Sequence, residues 1–259
     1  MTDQAPVLKD QIDNIGIIIL NRVKEFNTFE PEFADLLNQY LDDMDNDDGI
    51  RVVVIKANGK HFSTGIALDQ FPGKTPKEYL KLLEQMDRHT KTIFRMKKPV
   101  IASVKGFAIA NGAGLVFASD MAIAAESSKF GTTAINVGLN CIGPAVPLSR
   151  HVNRKKLMEM VLTGDMYSAE EMERLGVVNK VVPDDELEEK TMELAKKLAS
   201  KSPLALESGK RGIHGMMDLP YEKASDYMLE MFASLLSTED AQEGLEAFSQ
   251  KRDPVWKKK

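Results

Sequence analysis

Two stretches of the sequence follow the same plan, and this repeat constrains the fold more than any other feature. Residues 52–65 (VVVIKANGKHFSTG) contain an apolar run, a glycine turn, a short extended run, and small residues ending in glycine. Residues 100–112 (VIASVKGFAIANG) repeat that order, and a weaker third copy begins at Ile123. Short apolar runs between turn residues are typical of strands buried on both faces. The pattern predicts a stack of strand–strand–helix units that share one core.

The segments around this repeat predict an α/β protein. An Asp13-Asn14 turn before an apolar run indicates a hairpin. Residues 76–96 have the periodicity of an amphipathic helix. Its side chains expected to face the core are Leu80, Leu83, Met86 and Ile93. The section from Pro203 onward is expected to be mostly helical, with an apolar set that needs a partner surface on the main body or on another subunit. Residues 257–259 (KKK) are expected to form a solvated tail.

Composition excludes several classes of protein. Among the 259 residues, 43% are hydrophobic and 28% charged, which is typical of a globular chain. A net charge of −5 argues against nucleic acid as a partner. The single cysteine, Cys141, suits a reducing cytosol. No apolar run has the length of a membrane span, and the first ten residues lack the apolar core of a secretory signal. The histidines have no metal-ligand spacing, so we expect a cytoplasmic protein without a metal or a membrane partner.

The glycine-rich turns that end the two repeats could have a chemical role. Small residues leave backbone N–H groups unshielded, and the start of a helix adds further unpaired N–H groups. Turns after Thr64-Gly65 and after Ala110-Asn111-Gly112 could therefore direct two N–H groups at one oxygen, as in an oxyanion hole. Alternatively, these glycines only permit tight turns and close packing. Neither turn has the sequence of a phosphate-binding loop.

Residues 97–120 (KKPVIASVKGFAIANGAGLVFASD) resemble the signature stretch of the crotonase, or enoyl-CoA hydratase/isomerase, superfamily. Other runs agree with that family in order and spacing, so the resemblance covers nearly the whole chain. These runs are Asn21-Arg22 with Asn27, residues 61–68 (HFSTGIAL), residues 162–164 (LTG), residues 175–178 (LGVV) and residues 248–254 (FSQKRDP).

The resemblance implies a crotonase-like spiral of ββα turns over residues 1–200, which binds the CoA thioester. Residues 201–259 would then be a C-terminal helical region that forms a homotrimer, commonly assembled further into a hexamer as a dimer of trimers. The implied partners are an acyl-CoA substrate and further copies of the chain. No separate cofactor is expected, because coenzyme A is part of the substrate. A role in fatty acid metabolism is the implied context.

The resemblance also assigns roles to particular positions. The backbone N–H groups of Ile66 and Asn111 match the two donors of the family's oxyanion hole. Phe248 and Lys251 match positions that approach the CoA of a neighbouring subunit. The other expected CoA-binding residues are Lys24, Phe26, Asn27, Thr64, Ala67 and Leu68.

This chain departs from the family at the positions that carry out hydration. Hydratases of the family use two glutamates, which would fall here at Gly114 and Ala134. An aspartate that commonly follows the first turn is replaced by Ala67. General acid–base catalysis contributes roughly 10²–10⁴-fold, so a member without both glutamates should be a poor hydratase. Isomerases that keep only the second glutamate are excluded by the same reasoning.

Three residues are candidate substitutes for the missing glutamates. Asp69 could face the acyl pocket, although a surface position before the next loop is the preferred interpretation. Asn140 and Cys141 lie in the loop after the second missing glutamate. Cys141 would need a base to become a nucleophile, and a buried structural cysteine is the preferred interpretation.

The leading hypothesis is therefore an acyl-CoA enzyme, a lyase or isomerase, that stabilises a thioester enolate and carries out chemistry other than efficient hydration. Decarboxylation, isomerisation and hydrolysis are all compatible with that hypothesis. One alternative is a catalytically degenerate protein that only binds CoA thioesters, and another is a weak enoyl-CoA hydratase. Residues 69–95, the least family-like stretch, are expected to form part of the acyl pocket.

Overall fold

The computed structural model describes residues 5–259 and has the expected α/β class. Nine strands, ten α-helices and four short 3₁₀ helices lie within those residues. The strands are β1 (Val7–Ile12), β2 (Ile15–Leu20), β3 (Val52–Ala57), β4 (Val100–Val104), β5 (Phe107–Ile109), β6 (Met121–Ala125), β7 (Lys129–Gly131), β8 (Met166–Ser168) and β9 (Lys180–Val182). The helices are α1 (Pro31–Asn46), α2 (Pro76–Arg95), α3 (Asn111–Ala118), α4 (Ile142–Leu148), α5 (Arg154–Thr163), α6 (Ala169–Arg174), α7 (Leu187–Ala199), α8 (Pro203–Met216), α9 (Tyr221–Leu236) and α10 (Glu239–Gln250).

The larger sheet has the strand order β1-β2-β3-β4-β6-β9. The predicted hairpin joins β1 to β2 as an antiparallel pair, and the remaining pairs are parallel. One face of this sheet packs into the main core, and α7 covers the other face. The parallel strands are therefore buried on both sides, which explains why their sequences are continuous apolar runs.

The repeat in the sequence corresponds to a second, shorter layer of strands. After β4 and β6 the chain turns and forms β5 and β7, which pair in parallel with each other. After β3 the chain makes the equivalent turn, and Ser63 forms a parallel bridge to Ala108 of β5. All three copies thus follow the same path. The predicted stack of strand–strand–helix units is confirmed, and it places the turns of the first two copies side by side.

Helix α2 begins where expected but has a different buried face. Thr75 caps it and forms a reciprocal hydrogen-bonded pair with Glu78. Its buried side chains are Leu82, Met86, His89 and Ile93, whereas Leu80 and Leu83 are exposed. The prediction for those two leucines was wrong. The buried face includes His89, a residue that a search for apolar positions does not select. The face predicted from apolar residues alone was therefore turned away from the one that the structure buries.

The C-terminal helices differ in how they meet the rest of the chain. Lys210 of α8 forms a buried ion pair of 2.7 Å with Asp120 and donates to the carbonyl of Lys98, which docks α8 on the core. Helix α9, in contrast, has no buried residue. Its apolar side chains Phe232 and Leu236 are exposed within the described chain, as expected for a face that needs a partner. The boundary near residue 200 and self-association stay predictions.

Residues 257–259 are exposed, as expected for a solvated tail, but their backbone is attached to the protein. The Trp256 indole N–H donates to the carbonyl of Ser200 at 2.9 Å. The backbone N–H groups of Lys257 and Lys258 donate to the buried Asp240 carboxylate. A run of lysines indicated solvent exposure, but these contacts are made by the backbone and by the preceding tryptophan. In residues 5–259, no helix combines the length and apolar character needed to cross a membrane.

Candidate active site

The turn of the first repeat lies beside the segment that precedes α1. The Phe29 N–H donates to the Gly65 carbonyl at 2.8 Å, and the Ala67 N–H donates to the Phe29 carbonyl at 2.9 Å. These two hydrogen bonds form a parallel bridge in which Gly65 and Ala67 face Phe29. The residue between Gly65 and Ala67 directs its own N–H away from Phe29. That residue is Ile66. Within residues 5–259 its N–H has no acceptor.

The turn of the second repeat leads directly into α3. Ala110 donates its N–H to the Gly131 carbonyl at 2.8 Å and adopts φ +49°, ψ −119°, a conformation that residues other than glycine rarely adopt. Asn111 is the first residue of α3, and its N–H finds no acceptor in the described part of the chain. The first amides of a helix lack intrahelical partners and lie at the positive end of its dipole.

Glycines allow the two turns to touch. A methyl group added to Gly65 would lie 2.8 Å from Ala110 Cβ and 3.5 Å from the Asn111 nitrogen. A methyl group added to Gly112 would lie 2.3 Å from the Ser63 carbonyl oxygen. The unpaired amides of Ile66 and Asn111 therefore belong to two turns in direct contact, and such a pair can donate to one oxygen. Their assignment as an oxyanion hole stays a prediction.

The structure brings together the two segments predicted to bind CoA. The Thr64 N–H donates to the Phe26 carbonyl at 3.2 Å. Lys24, Phe26 and Leu68 are exposed beside this contact, and Ala67 is half-buried. These side chains lie next to the first turn and are accessible to a ligand.

Asn27 differs from its neighbours because it is almost completely buried, with 1% of its surface exposed. Its amide donates to the carbonyls of Asn58 at 3.0 Å and His61 at 2.9 Å. Asn27 therefore holds the loop that leads into the first turn. Because its side chain is buried and bonded to that loop, Asn27 can influence a bound ligand only by positioning the loop.

Phe248 and Lys251 lie at the end of α10, and both are exposed. No hydrogen bond in the described residues links them to the candidate site of their own chain. Their predicted approach to a neighbouring subunit's CoA stays a prediction.

The two positions without glutamate differ in their surroundings. Gly114 is buried in α3, and a methyl group there would lie 3.1 Å from Pro144 Cγ of α4. Ala134 is half-buried in a short 3₁₀ helix and accepts a hydrogen bond from the Leu139 N–H. Close packing of α4 against α3 thus occupies the space beside Gly114.

The three candidate substitutes have no geometry that marks them as acids or bases. Asp69 is exposed and accepts a hydrogen bond from the adjacent Gln70 amide at 3.1 Å. The side-chain oxygen of Asn140 is buried without a hydrogen-bond partner in residues 5–259. Cys141 is buried, and burial raises the pKa of its thiol. A protonated, buried thiol fits the structural interpretation of Cys141.

A carboxylate that the sequence analysis missed lies next to the second turn. The Asn111 side-chain amide donates to Asp87 of α2 at 2.6 Å. Burial raises the pKa of Asp87 to about 6, against the opposing effects of the Asn111 hydrogen bond and the charge of Lys91. In the sequence, Asp87 is one of many charged residues in an amphipathic helix, and no motif distinguishes it. Its position depends on the packing of α2 against α3, which the sequence pattern does not reveal.

A cavity of about 700 Å³ lies elsewhere, between α8 and the ends of α2 and α3. Its walls include the Lys210–Asp120 and Arg150–Asp218 ion pairs. None of the predicted site residues lines it. The candidate site at the two turns is therefore separate from this cavity.

Comparison with known proteins identifies the class of protein. The family described as "Enoyl-CoA hydratase/isomerase" matches residues 10–259. The human protein named "Enoyl-CoA hydratase domain-containing protein 3, mitochondrial" is 36% identical over 98% of this chain and 84% of its own length. The crystal structure of an enoyl-CoA hydratase from Mycobacterium smegmatis superposes with a TM-score of 0.94 at 32% identity, covering 98% of this chain and 99% of the other. The chain belongs to the enoyl-CoA hydratase/isomerase family and has the crotonase fold.

Individual relatives have more specific names. A protein of Thauera aromatica named "(E)-benzylidenesuccinyl-CoA hydratase" is 32% identical over 97% of this chain and 99% of its own length. That substrate is stated for the relative alone. The human relative's name places it in mitochondria. The cytoplasmic location expected for this chain stays a prediction.

Proposed function

We propose that this protein acts on an acyl-CoA and stabilises the enolate of its thioester with the N–H groups of Ile66 and Asn111. The observation that supports this proposal is the contact between two turns, each of which carries an amide without an acceptor in residues 5–259. Negative charge develops on the thioester oxygen when the enolate forms. Donors already in position stabilise that charge without reorganisation, and one such donor contributes roughly 10²–10³-fold to a rate.

The proposed chemistry is not efficient hydration. Hydration of an enoyl thioester needs a water held between an acid and a base, and this chain has Gly114 and Ala134 where the family's hydratases have glutamates. Pro144 restricts the space beside Gly114, so a side chain at that position would meet α4. Reactions that need only an enolate, such as isomerisation or loss of carbon dioxide, fit the remaining groups better.

We also propose how the substrate and the subunits associate. CoA binds along the exposed Lys24, Phe26 and Leu68 beside the first turn. The protein forms a homotrimer or a dimer of trimers through its C-terminal helices, which is supported by the unburied apolar face of α9. Phe248 and Lys251 then reach the CoA of a neighbouring subunit. No cofactor is required beyond the CoA of the substrate.

The first experiment measures crotonyl-CoA hydration as the loss of the conjugated enoyl-thioester absorbance, together with calorimetric binding of a CoA ester. We expect clear binding and hydration at least ~10²-fold slower than a family member with both glutamates achieves. Fast hydration would show that another acid–base pair has replaced the glutamates. Absence of binding would overturn the proposal altogether.

Candidate acyl-CoA substrates for decarboxylation, isomerisation and hydrolysis are first screened for one that the protein converts. A pair of variants then tests the proposed oxyanion hole with that substrate. Asn111→Pro removes the backbone donor at the first position of a helix. Because proline also restricts the residue before it, here the strained Ala110, the variant is compared only if it binds the CoA ester as Asn111→Ala does. Asn111→Ala keeps that donor and removes only the side chain. We expect Asn111→Pro to lose roughly 10²–10³-fold more turnover than Asn111→Ala. Equal turnover in the two variants would contradict the hole. Binding without turnover of any candidate would favour the degenerate CoA-thioester binder.

A further inference from the structure

We propose that Asp87 is the catalytic acid–base residue of this site, transferring the proton to and from the acyl Cα while Ile66 and Asn111 hold the thioester oxygen. This inference rests on the proposed enolate chemistry and adds the group that chemistry otherwise lacks. No position of the family motif identified in the sequence corresponds to it.

The first argument is the position of Asp87 relative to the proposed hole. Asp87 Oδ1 accepts a 2.6 Å hydrogen bond from the side chain of Asn111, the residue whose backbone N–H is one of the two donors. By covalent geometry this places the carboxylate within about 8 Å of the Asn111 backbone nitrogen. A thioester oxygen bound to that N–H has its Cα about 2.4 Å away. These two distances are compatible with contact between the carboxylate and the Cα proton of a bound substrate.

The second argument is the relation of Asp87 to the first missing glutamate. Asn111 and Gly114 are three residues apart in α3 and so lie on the same face of that helix. A methyl group on Gly114 would lie 3.1 Å from Pro144, and a methyl group on the adjacent Gly143 would lie 2.1 Å from Asp87 Oδ2. Asp87 thus contacts both Asn111 of α3 and Gly143 of α4, and Gly143 adjoins the Pro144 that packs against Gly114. Glycine at 143 is what leaves room for it.

The surroundings of Asp87 suit proton transfer near neutral pH. Burial raises the pKa of this carboxyl to about 6, while the Asn111 amide and Lys91 on the same helix favour its charged form. The Cys141 thiol, just before α4, interacts electrostatically with Asp87, and burial raises the pKa of that thiol. A general base works best when its pKa lies near the working pH. Near pH 7 most Asp87 carboxyls would be ionised and able to accept a proton.

The chemical step is balanced without any further reactant. An Asp87 carboxylate oxygen takes the proton from Cα, and the electron pair of that C–H bond forms the double bond between Cα and the thioester carbon. The carbonyl π pair moves onto the oxygen, which the two N–H groups stabilise. Return of a proton from the Asp87 carboxylic acid to Cα reverses the step. In deuterated water the returning group carries deuterium, so the step is visible even when no net reaction follows.

The experiment measures deuterium incorporation at Cα by mass spectrometry, with acetyl-CoA, butyryl-CoA and phenylacetyl-CoA as probes. Wild-type protein is expected to exchange the Cα hydrogens of at least one probe. The rate should rise with pH through an apparent pKa of about 6, where Asp87 becomes ionised, and level off above it. Asp87→Asn keeps the shape of the side chain and is expected to slow exchange by roughly 10²–10⁴-fold, with the calorimetric Kd of the same probe unchanged within threefold.

A second variant tests the link to Asn111 and remains informative if Asp87→Asn does not fold. Asn111→Ala removes the hydrogen bond that favours the charged carboxylate, so the apparent pKa of exchange should move upward. A purely structural role for the Asp87–Asn111 pair would weaken binding or folding without moving the pH profile.

The outcomes separate this inference from the proposed function. Absence of exchange with wild-type protein would refute the enolate chemistry, and this inference with it. Wild-type exchange that is undiminished in Asp87→Asn would overturn the role of Asp87 alone. Lost exchange accompanied by lost binding would also overturn it, since Asp87 would then be structural. Lost exchange with intact binding and a shifted pH profile in Asn111→Ala would support it.

Discussion

The two turns that carry the unpaired amides have similar sequences but are held in different ways. The first turn has its positive φ at a glycine, Gly65 (φ +94°), and is fixed by backbone hydrogen bonds to Phe29 on one side. The second turn has its positive φ at Ala110, which carries a side chain, and it opens directly into α3. A neighbouring extended segment therefore orients the first donor, and the start of a helix orients the second.

This difference indicates where the structure accepts strain. A residue other than glycine at φ +49°, ψ −119° costs on the order of 1–3 kcal/mol. The strained residue is Ala110, and its ψ angle determines the direction of the Asn111 N–H. The positive end of the α3 dipole adds to the attraction for a negative oxygen at this donor. The second turn thus combines strain with a helix start, whereas the first relies on glycine.

The largest effect is expected where one turn packs against the backbone of the other. In Gly112→Ala the new methyl group would lie 2.3 Å from the Ser63 carbonyl oxygen, and backbone atoms cannot rotate away. We expect the free energy of unfolding in urea to fall by about 3 kcal/mol, since forced overpacking typically costs ~1–3 kcal/mol or more. Turnover should fall at least 10²-fold because separation of the turns separates the two donors.

The matched control for Gly112→Ala is Gly209→Ala in α8, where a methyl group would meet no atom within 4 Å. Helix propensity alone predicts a gain of roughly 0.5–1 kcal/mol in the control. Similar unfolding free energies for Gly112→Ala and wild type would show that the turns are not in the close contact described here.

A smaller loss is expected at the glycine of the first turn. Gly65→Ala places an L side chain at φ +94° and its methyl group 2.8 Å from Ala110 Cβ. Gly73→Ala is the control, because it has a similar φ of +76° but open space around the new methyl group. We expect about 1–2 kcal/mol of lost stability in the control from conformation alone, and at least ~1 kcal/mol more at Gly65. Equal losses, measured by urea unfolding, would mean that the contact between the turns contributes nothing at this point.

Much of the fold could be predicted from the sequence because its strands are buried on both faces and so appear as continuous apolar runs. The repeat places the two turns in equivalent positions, and the family resemblance supports the same arrangement. The buried face of α2 was not predictable by apolarity, because His89 occupies part of it. The attached C-terminal tail was missed because its contacts come from backbone N–H groups and from Trp256 rather than from a side-chain pattern.

The candidate site was predictable in its backbone but not in its side chains. Ile66 and Asn111 follow from the glycine turns and the resemblance, since a backbone donor needs only the local chain path. Asp87 lies 24 residues before Asn111 and meets it only because α2 packs beside α3. A contact between two helices leaves no local signature, whereas a turn does. The candidates proposed from the sequence, Asp69, Asn140 and Cys141, were chosen by closeness along the chain.

The smallest effect is expected when the side chain is removed from the strained position itself. Ala110→Gly removes the steric cost of φ +49°, ψ −119°, because glycine adopts this conformation without strain. The greater flexibility of glycine in the unfolded chain offsets part of that gain, by roughly 0.4–1 kcal/mol. We expect the free energy of unfolding to rise by about 1 kcal/mol. Ala118→Gly, at the other end of α3, is the control, with an expected loss of ~0.5–1 kcal/mol.

Combining Ala110→Gly with Gly65→Ala sharpens the comparison further. The double variant lacks the 2.8 Å contact between the two Cβ atoms, so Ala110→Gly should stabilise the Gly65→Ala protein by more than it stabilises wild type. Residues in contact typically show coupling of ~0.5–3 kcal/mol in such a cycle. Zero coupling would mean that the two turns adjust independently. In that case the strain at Ala110 would belong to the second turn alone and would not depend on the approach of the first.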